Sequence, residues 1–147
     1  MQSRKSTKPS DVRSHWPLEE PTLFLDRNLG KHIIADRLRQ EGIKVEVHDD
    51  HLPNNAPDEE WIALVGEKGW VALTKDKRIR YRRAEIRSVK ANGARLIVIQ
   101  VSNAKASDIA EVLVRGRRRI ARFTATRNAP FVAAIYRDGG MREYSIT

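Results

Sequence analysis

Trp70-Val71-Ala72-Leu73-Thr74-Lys75-Asp76 is an apolar run of strand length that ends abruptly in charge, and Thr22-Leu23-Phe24-Leu25-Asp26 has the same form 50 residues earlier. Neither run alternates polar with apolar residues, so both read as strands buried on two faces, the mark of a parallel sheet covered by helices. The intervening sequence supplies those helices. Asn28 is placed to cap a helix in which Leu29, Ile33, Ile34 and Leu38 recur at helical spacing, with Gly42 just past its end. Ile43 to His48 reads as a second strand and Asp49 to Pro57 as a loop. Pro57 followed by Asp58, Glu59 and Glu60 marks a helix start, with Trp61, Ile62 and Val65 as its inward stripe and Gly69 as its stop.

Downstream, a basic helix is expected from Arg80 to Ala91, stopped by Gly93, then a β run from Leu96 to Gln100 and a helix from Ser107 to Arg122. In that helix Ile109, Val112, Leu113 and Ile120 face the sheet. Phe131 to Tyr136 and Met141 to Ile146 flank Asp138-Gly139-Gly140 and form a C-terminal hairpin. Strands alternating with helices give an α/β class with a mainly parallel sheet. Residues 1–20 are rich in Ser, Lys, Arg and Pro, with only Val12, Trp16 and Leu18 as sizeable apolar groups, and read as a flexible basic arm before a single domain at 21–147. Trp16 is the aromatic of that arm available to a partner.

Composition sets limits on function. Of the 147 residues, 28 are Lys or Arg and 19 are Asp or Glu, a net charge of +9 that favours polyanionic partners, nucleic acid above all. The absence of cysteine excludes thiolate zinc sites, thiol catalysis and disulfides. The longest apolar stretch, Phe131 to Tyr136, falls far short of the ~20 residues of a membrane helix, and the first twenty residues carry no apolar signal core. The expected location is the cytoplasm, with no membrane segment.

In an open parallel sheet, ligands bind beyond the carboxyl ends of the strands. Asp26 and Asp76 each follow a strand directly, so if those strands are neighbours their carboxylates converge. Asp58 starts the helix that precedes the second of them, and Glu59 is its substitute. Carboxylates without cysteine or a helical histidine pair make a hard, all-oxygen environment suited to Mg2+ or Mn2+, which could polarise a phosphodiester and generate hydroxide from water. Taken singly, each acid also reads as a turn residue or helix cap.

Three ordered motifs carry a resemblance: Leu23-Phe24-Leu25-Asp26-Arg27-Asn28-Leu29-Gly30, Pro57-Asp58-Glu59-Glu60-Trp61, and the stretch from Gly69 to Arg80. Together, over about residues 22–100, they resemble the PIN-like domain family, and within it the compact ribonuclease toxins of bacterial type II toxin-antitoxin systems. The resemblance implies a three-layer α/β/α fold and an Mg2+- or Mn2+-dependent endoribonuclease restrained by a cognate antitoxin. By motif, Asp26, Asp58 and Asp76 become the catalytic and metal-holding acids, with Asn28 and Thr74 as polar support. Many members carry a further acid just after the last aspartate, where this chain has Lys77, Arg78 and Arg80. A fourth ligand is then left to water or Glu59, and a second reading follows: a catalytically degenerate RNA-binding or protein-interaction module.

From Lys75 to Arg95 nine basic residues face two acids, a local 9 − 2 = +7 beside Asp76. Lys75, Lys77, Arg78, Arg80, Arg82 and Arg83 are the candidates for holding RNA phosphates, a contact that is salt-sensitive and blind to sequence. Arg115, Arg117, Arg118, Arg119 and Arg122 form a second cluster that could extend the RNA track or meet an acidic antitoxin. His48 and His51 flank two aspartates without fixed ligand geometry, and Trp61 and Trp70 read as core. The C-terminal hairpin would offer an edge for pairing with a second copy as a homodimer.

Overall fold

A computed structural model describes residues 19–146; most of the N-terminal arm, Trp16 included, lies outside the described residues. Among the described residues six strands form one sheet in the order β2-β1-β3-β4-β5-β6. They are β1 (Leu23–Leu25), β2 (Val45–Val47), β3 (Val71–Thr74), β4 (Arg95–Gln100), β5 (Phe131–Tyr136) and β6 (Met141–Tyr144). The first five are parallel, and β6 returns antiparallel to β5 as the expected hairpin. β1 and β3 are neighbours, with Leu25 opposite Leu73.

The period of two along these strands sorts side chains into two cores. Leu23, Leu25, Leu73, Ile97 and Ile135 face α1 (Ile33–Gln40), α4 (Ala106–Arg115) and α5 (Arg117–Thr126). Phe24, Ala72, Leu96, Val98 and Val132 face α2 (Asp58–Lys68) and α3 (Arg83–Asn92). The result is the expected three-layer α/β/α arrangement. Among the described residues, no helix is long and apolar enough to cross a membrane.

Several boundaries differ from expectation, each for a local reason. The chain after β1 makes a 3-10 turn over Arg27–Leu29 capped by the Asp26 side chain, so α1 begins later and Asn28 is not its N-cap. Ile33, read as part of the inward stripe, is exposed. A second 3-10 turn at Ile79–Tyr81 delays α3 to Arg83. The single helix expected over 107–122 is two, broken at Gly116. A Cβ at Gly116 would stand 3.1 Å from the Val112 carbonyl and 3.2 Å from Ile135 Cδ1, so the break lets the backbone lie close against the sheet. Gly69 ends α2 in the left-handed region at φ +71°, turning the chain directly into β3.

Candidate active site

The site lies at the carboxyl edge of β1 and β3. Pairing of these strands continues one residue past β1, where the Asp26 amide donates to the Leu73 carbonyl at 3.0 Å. That bond fixes Asp26 beside Thr74. Asp26 is buried, and its two carboxylate oxygens are occupied: Oδ1 accepts from the Arg27 amide at 2.6 Å and Oδ2 from the Thr74 hydroxyl at 2.8 Å. Thr74, fully buried, also accepts from the Asp76 amide at 3.1 Å and from Asn28 Nδ2 at 3.4 Å. One hydroxyl thus ties together Asp26, Asn28 and the backbone of Asp76.

The other two acids reach the same edge from different elements. Asp58 opens α2, where its Oδ1 accepts from the Trp61 indole at 3.0 Å and lies 3.7 Å from Arg27 Nη2. Arg27 also donates to the Ala56 carbonyl at 2.8 Å, bridging the turn after β1 to the start of α2. Asp76, partly buried, is held within its own turn: Oδ1 accepts from the Arg78 amide at 3.0 Å and Oδ2 from Arg82 Nη1. Glu59 is exposed and enters none of these contacts.

Burial is the main force holding the Asp26 carboxyl above the ordinary carboxylate range, and the charge of Asp58 adds to it. The hydrogen bonds from Thr74 and Arg27 work in the opposite direction. Arg82 is held more firmly protonated by its bond to Asp76, with Glu85 and Asp58 contributing charge. The acid whose charge reaches Asp26 is Asp58, opposed by Arg27, while Arg82 balances Asp76, Glu85 and Asp58.

The convergence expected from the strand ends is partial. Asp26 and Asp58 sense one another and Arg82 senses both Asp76 and Asp58, yet no three acids or histidines among the described residues stand close enough to hold an ion as they are. Asp58 and Asp76 are each engaged by a guanidinium, Arg27 and Arg82 respectively. The donor chemistry itself, carboxylates and a hydroxyl around a buried carboxyl whose charge is disfavoured, fits a hard divalent cation.

The basic residues divide. Lys75, Lys77, Arg78 and Arg83 are exposed beyond the acids, with Lys77 Nζ 3.4 Å from Ser102 Oγ. Arg80 instead lies against the rings of Tyr81 and Tyr144. Arg95 belongs to the far end of the sheet: it donates to the Gly69 carbonyl at 2.6 Å, and burial lowers its pKa. In the second cluster Arg117 is a tether, bonded to both Glu20 carboxylate oxygens at 2.6 and 2.9 Å and to the Glu41 carbonyl at 2.7 Å.

His48 is buried beside Phe24, its ring nitrogens without a hydrogen-bond partner among the described residues and Nδ1 3.7 Å from Asp49 Oδ1, whereas His51 pairs with Glu46 at 2.7 Å, so the two histidines have separate partners. Trp61 is core, and Trp70 packs on Phe24. Sequence reasoning missed Arg27 as a partner of Asp58. Arg27 stood inside the Asp26 motif, but its link to Asp58 depends on the fold.

Comparison with known proteins supports the same segment. The family model described as "PIN like domain" matches residues 21–101. A Mycobacterium tuberculosis protein named "Putative ribonuclease VapC45" is 30% identical over 118 residues, covering 78% of this chain and 85% of that one. No solved structure gives a significant match. With the family model spanning more than half the chain, the protein belongs to the PIN-like domain family.

Proposed function

We propose that the protein is an endoribonuclease of the toxin type, acting on RNA phosphodiesters at Asp26, Asp58 and Asp76 and restrained by a cognate antitoxin. The observation that carries the reading is the buried Asp26 carboxyl at the joined ends of β1 and β3, flanked by two further acids and by exposed cations. The relative named as a ribonuclease supports the substrate class.

Asp26, Asp58 and Asp76 would hold Mg2+ or Mn2+, which when bound supplies Lewis acidity and an ionised water. Thr74 orients Asp26 and supports its charged form. Arg27 positions Asp58 from the turn after β1. Lys75, Lys77, Arg78, Arg82 and Arg83 offer charge to backbone phosphates beside Asp76. The direct test is cleavage of a mixed RNA pool with Mg2+, with Mn2+ and with EDTA, beside an Asp26→Asn, Asp76→Asn double variant. Metal-dependent cutting that disappears in the variant is the expected result; RNA binding with no cutting under either metal would overturn it.

A further inference from the structure

Two large hydrophobic side chains stand exposed among the described residues, Ile33 at 62% and Tyr81 at 68%. Tyr81 closes the 3-10 turn that follows Asp76. Its ring is held in place. Arg80 Cζ lies 4.5 Å from the Tyr81 ring centroid and 3.9 Å from that of Tyr144, and Arg80 Nη2 donates to the Tyr81 hydroxyl. Tyr144 is itself buried, with its hydroxyl accepting from Gln100 Nε2 at 3.1 Å. Arg80 thus acts as a spacer fixed to the core, presenting an aromatic ring to water. Arg80 Nε is buried without a hydrogen-bond partner among the described residues, so the stack is kept at a polar cost.

Beside this ring is a groove of about 290 Å3 lined by Arg82, Arg83, Arg87, Lys90, Ile86 and Ile146. Arg83, Arg87 and Lys90 recur at i, i+4 and i+7, so they form one cationic stripe along α3. Arg82 belongs to both places, since it also bonds Asp76. A ligand in the groove is therefore one side chain away from Asp76.

We infer that this groove is a subsite for an unpaired nucleotide of the RNA, its base stacked on Tyr81 and its neighbouring phosphates held by the α3 stripe. The inference rests on the ribonuclease reading for the identity of the ligand. The chemistry selects a single strand: an exposed ring and apolar lining suit a planar base, whereas a duplex hides its base faces and an acidic peptide would use the cations but not the ring.

The test is binding in EDTA, without cleavage, of a short single-stranded oligoribonucleotide carrying 2-aminopurine, beside its duplex and beside polyglutamate. Wild-type protein should quench the probe and prefer the single strand. Tyr81→Leu should abolish the quench and weaken single-strand binding by about 5- to 150-fold, and Tyr81→Trp should restore both. Unchanged binding and quench in Tyr81→Leu would overturn the subsite. Equal weakening of RNA and polyglutamate would also overturn it, in favour of a surface for an acidic protein. Cleavage with Mn2+ is read separately: a wild-type protein that stacks the probe but never cuts removes the ribonuclease reading and leaves the subsite standing.

Discussion

The Thr74 hydroxyl donates to Asp26 at 2.8 Å while accepting the Asp76 amide at 3.1 Å, so one buried oxygen sets the position of two acids from different strands. Thr74→Val keeps the shape of the side chain and removes the bonds to Asp26, the Asp76 amide and Asn28. Stability should fall by about 1–3 kcal/mol because the Asp76 amide loses its acceptor. Activity should fall by roughly 10- to 100-fold, the usual cost of losing an orienting partner. The Thr74 bond lowers the Asp26 pKa, so its loss raises that pKa and moves the acid limb of the pH–rate profile to higher pH. Thr74→Ser should keep the wild-type profile; an unmoved acid limb in Thr74→Val would count against the role.

Asp26→Asn should separate stability from activity. The folded Asp26 carboxyl titrates above its unfolded value of 3.8, so its charge opposes folding. That opposition is fully present above the folded pKa and is relieved as pH falls through it towards 3.8. Neutralising the residue should raise Tm at neutral pH by on the order of a few degrees, while cleavage drops by at least about 100-fold. Thermal melts of both proteins across pH check the sign: the gap between them should close in acid.

Arg82 occupies Asp76 and lines the cationic groove, so Arg82→Gln should move two affinities in opposite directions. Mn2+ binding, read by calorimetry, should tighten as Asp76 is released. RNA binding in EDTA should weaken, with the slope of log K against log salt reduced by about one. Weaker Mn2+ binding would instead make Arg82 an organiser of the acids.

Gly66 tests the packing of α2 on α3. In an exposed helix Gly→Ala stabilises by about 1 kcal/mol, but a Cβ here would stand 2.3 Å from the Asn92 carbonyl oxygen and 2.8 Å from Asn92 Cβ. Overpacking at the end of α3 should outweigh propensity, for a net loss of about 1–2 kcal/mol in denaturant titration at unchanged m-value.

What could be read directly from the residues were features with local causes. The unbroken apolar runs before Asp26 and Asp76 identified the central strands, and Gly69 and Gly93 marked helix ends. The alternation of elements indicated the layers. What escaped was decided by contacts distant in sequence. Nothing local says that Gly116 must break a helix, because the reason is its closeness to Ile135. Asn28 looked like a cap because it precedes an amphipathic stretch, but the Asp26 side chain captured the Arg27 amide first. The acids could be named one by one as candidates. Their arrangement was not, because Arg27 and Arg82 hold Asp58 and Asp76 in ways that depend on the folded turns.

The strand order has a consequence for synthesis. β1 lies between β2 and β3, so Asp26 meets its hydroxyl partner only when Thr74, 48 residues later, pairs in parallel beside it. A chain emerging from the ribosome at about 5–20 residues per second carries Asp26 and Asp58 for seconds before Asp76 can join them. A message cut short before the codon for Asp76 would yield a polypeptide that holds two of the acids and lacks the third, so the full acidic edge forms only on chains translated through β3 and the turn after it.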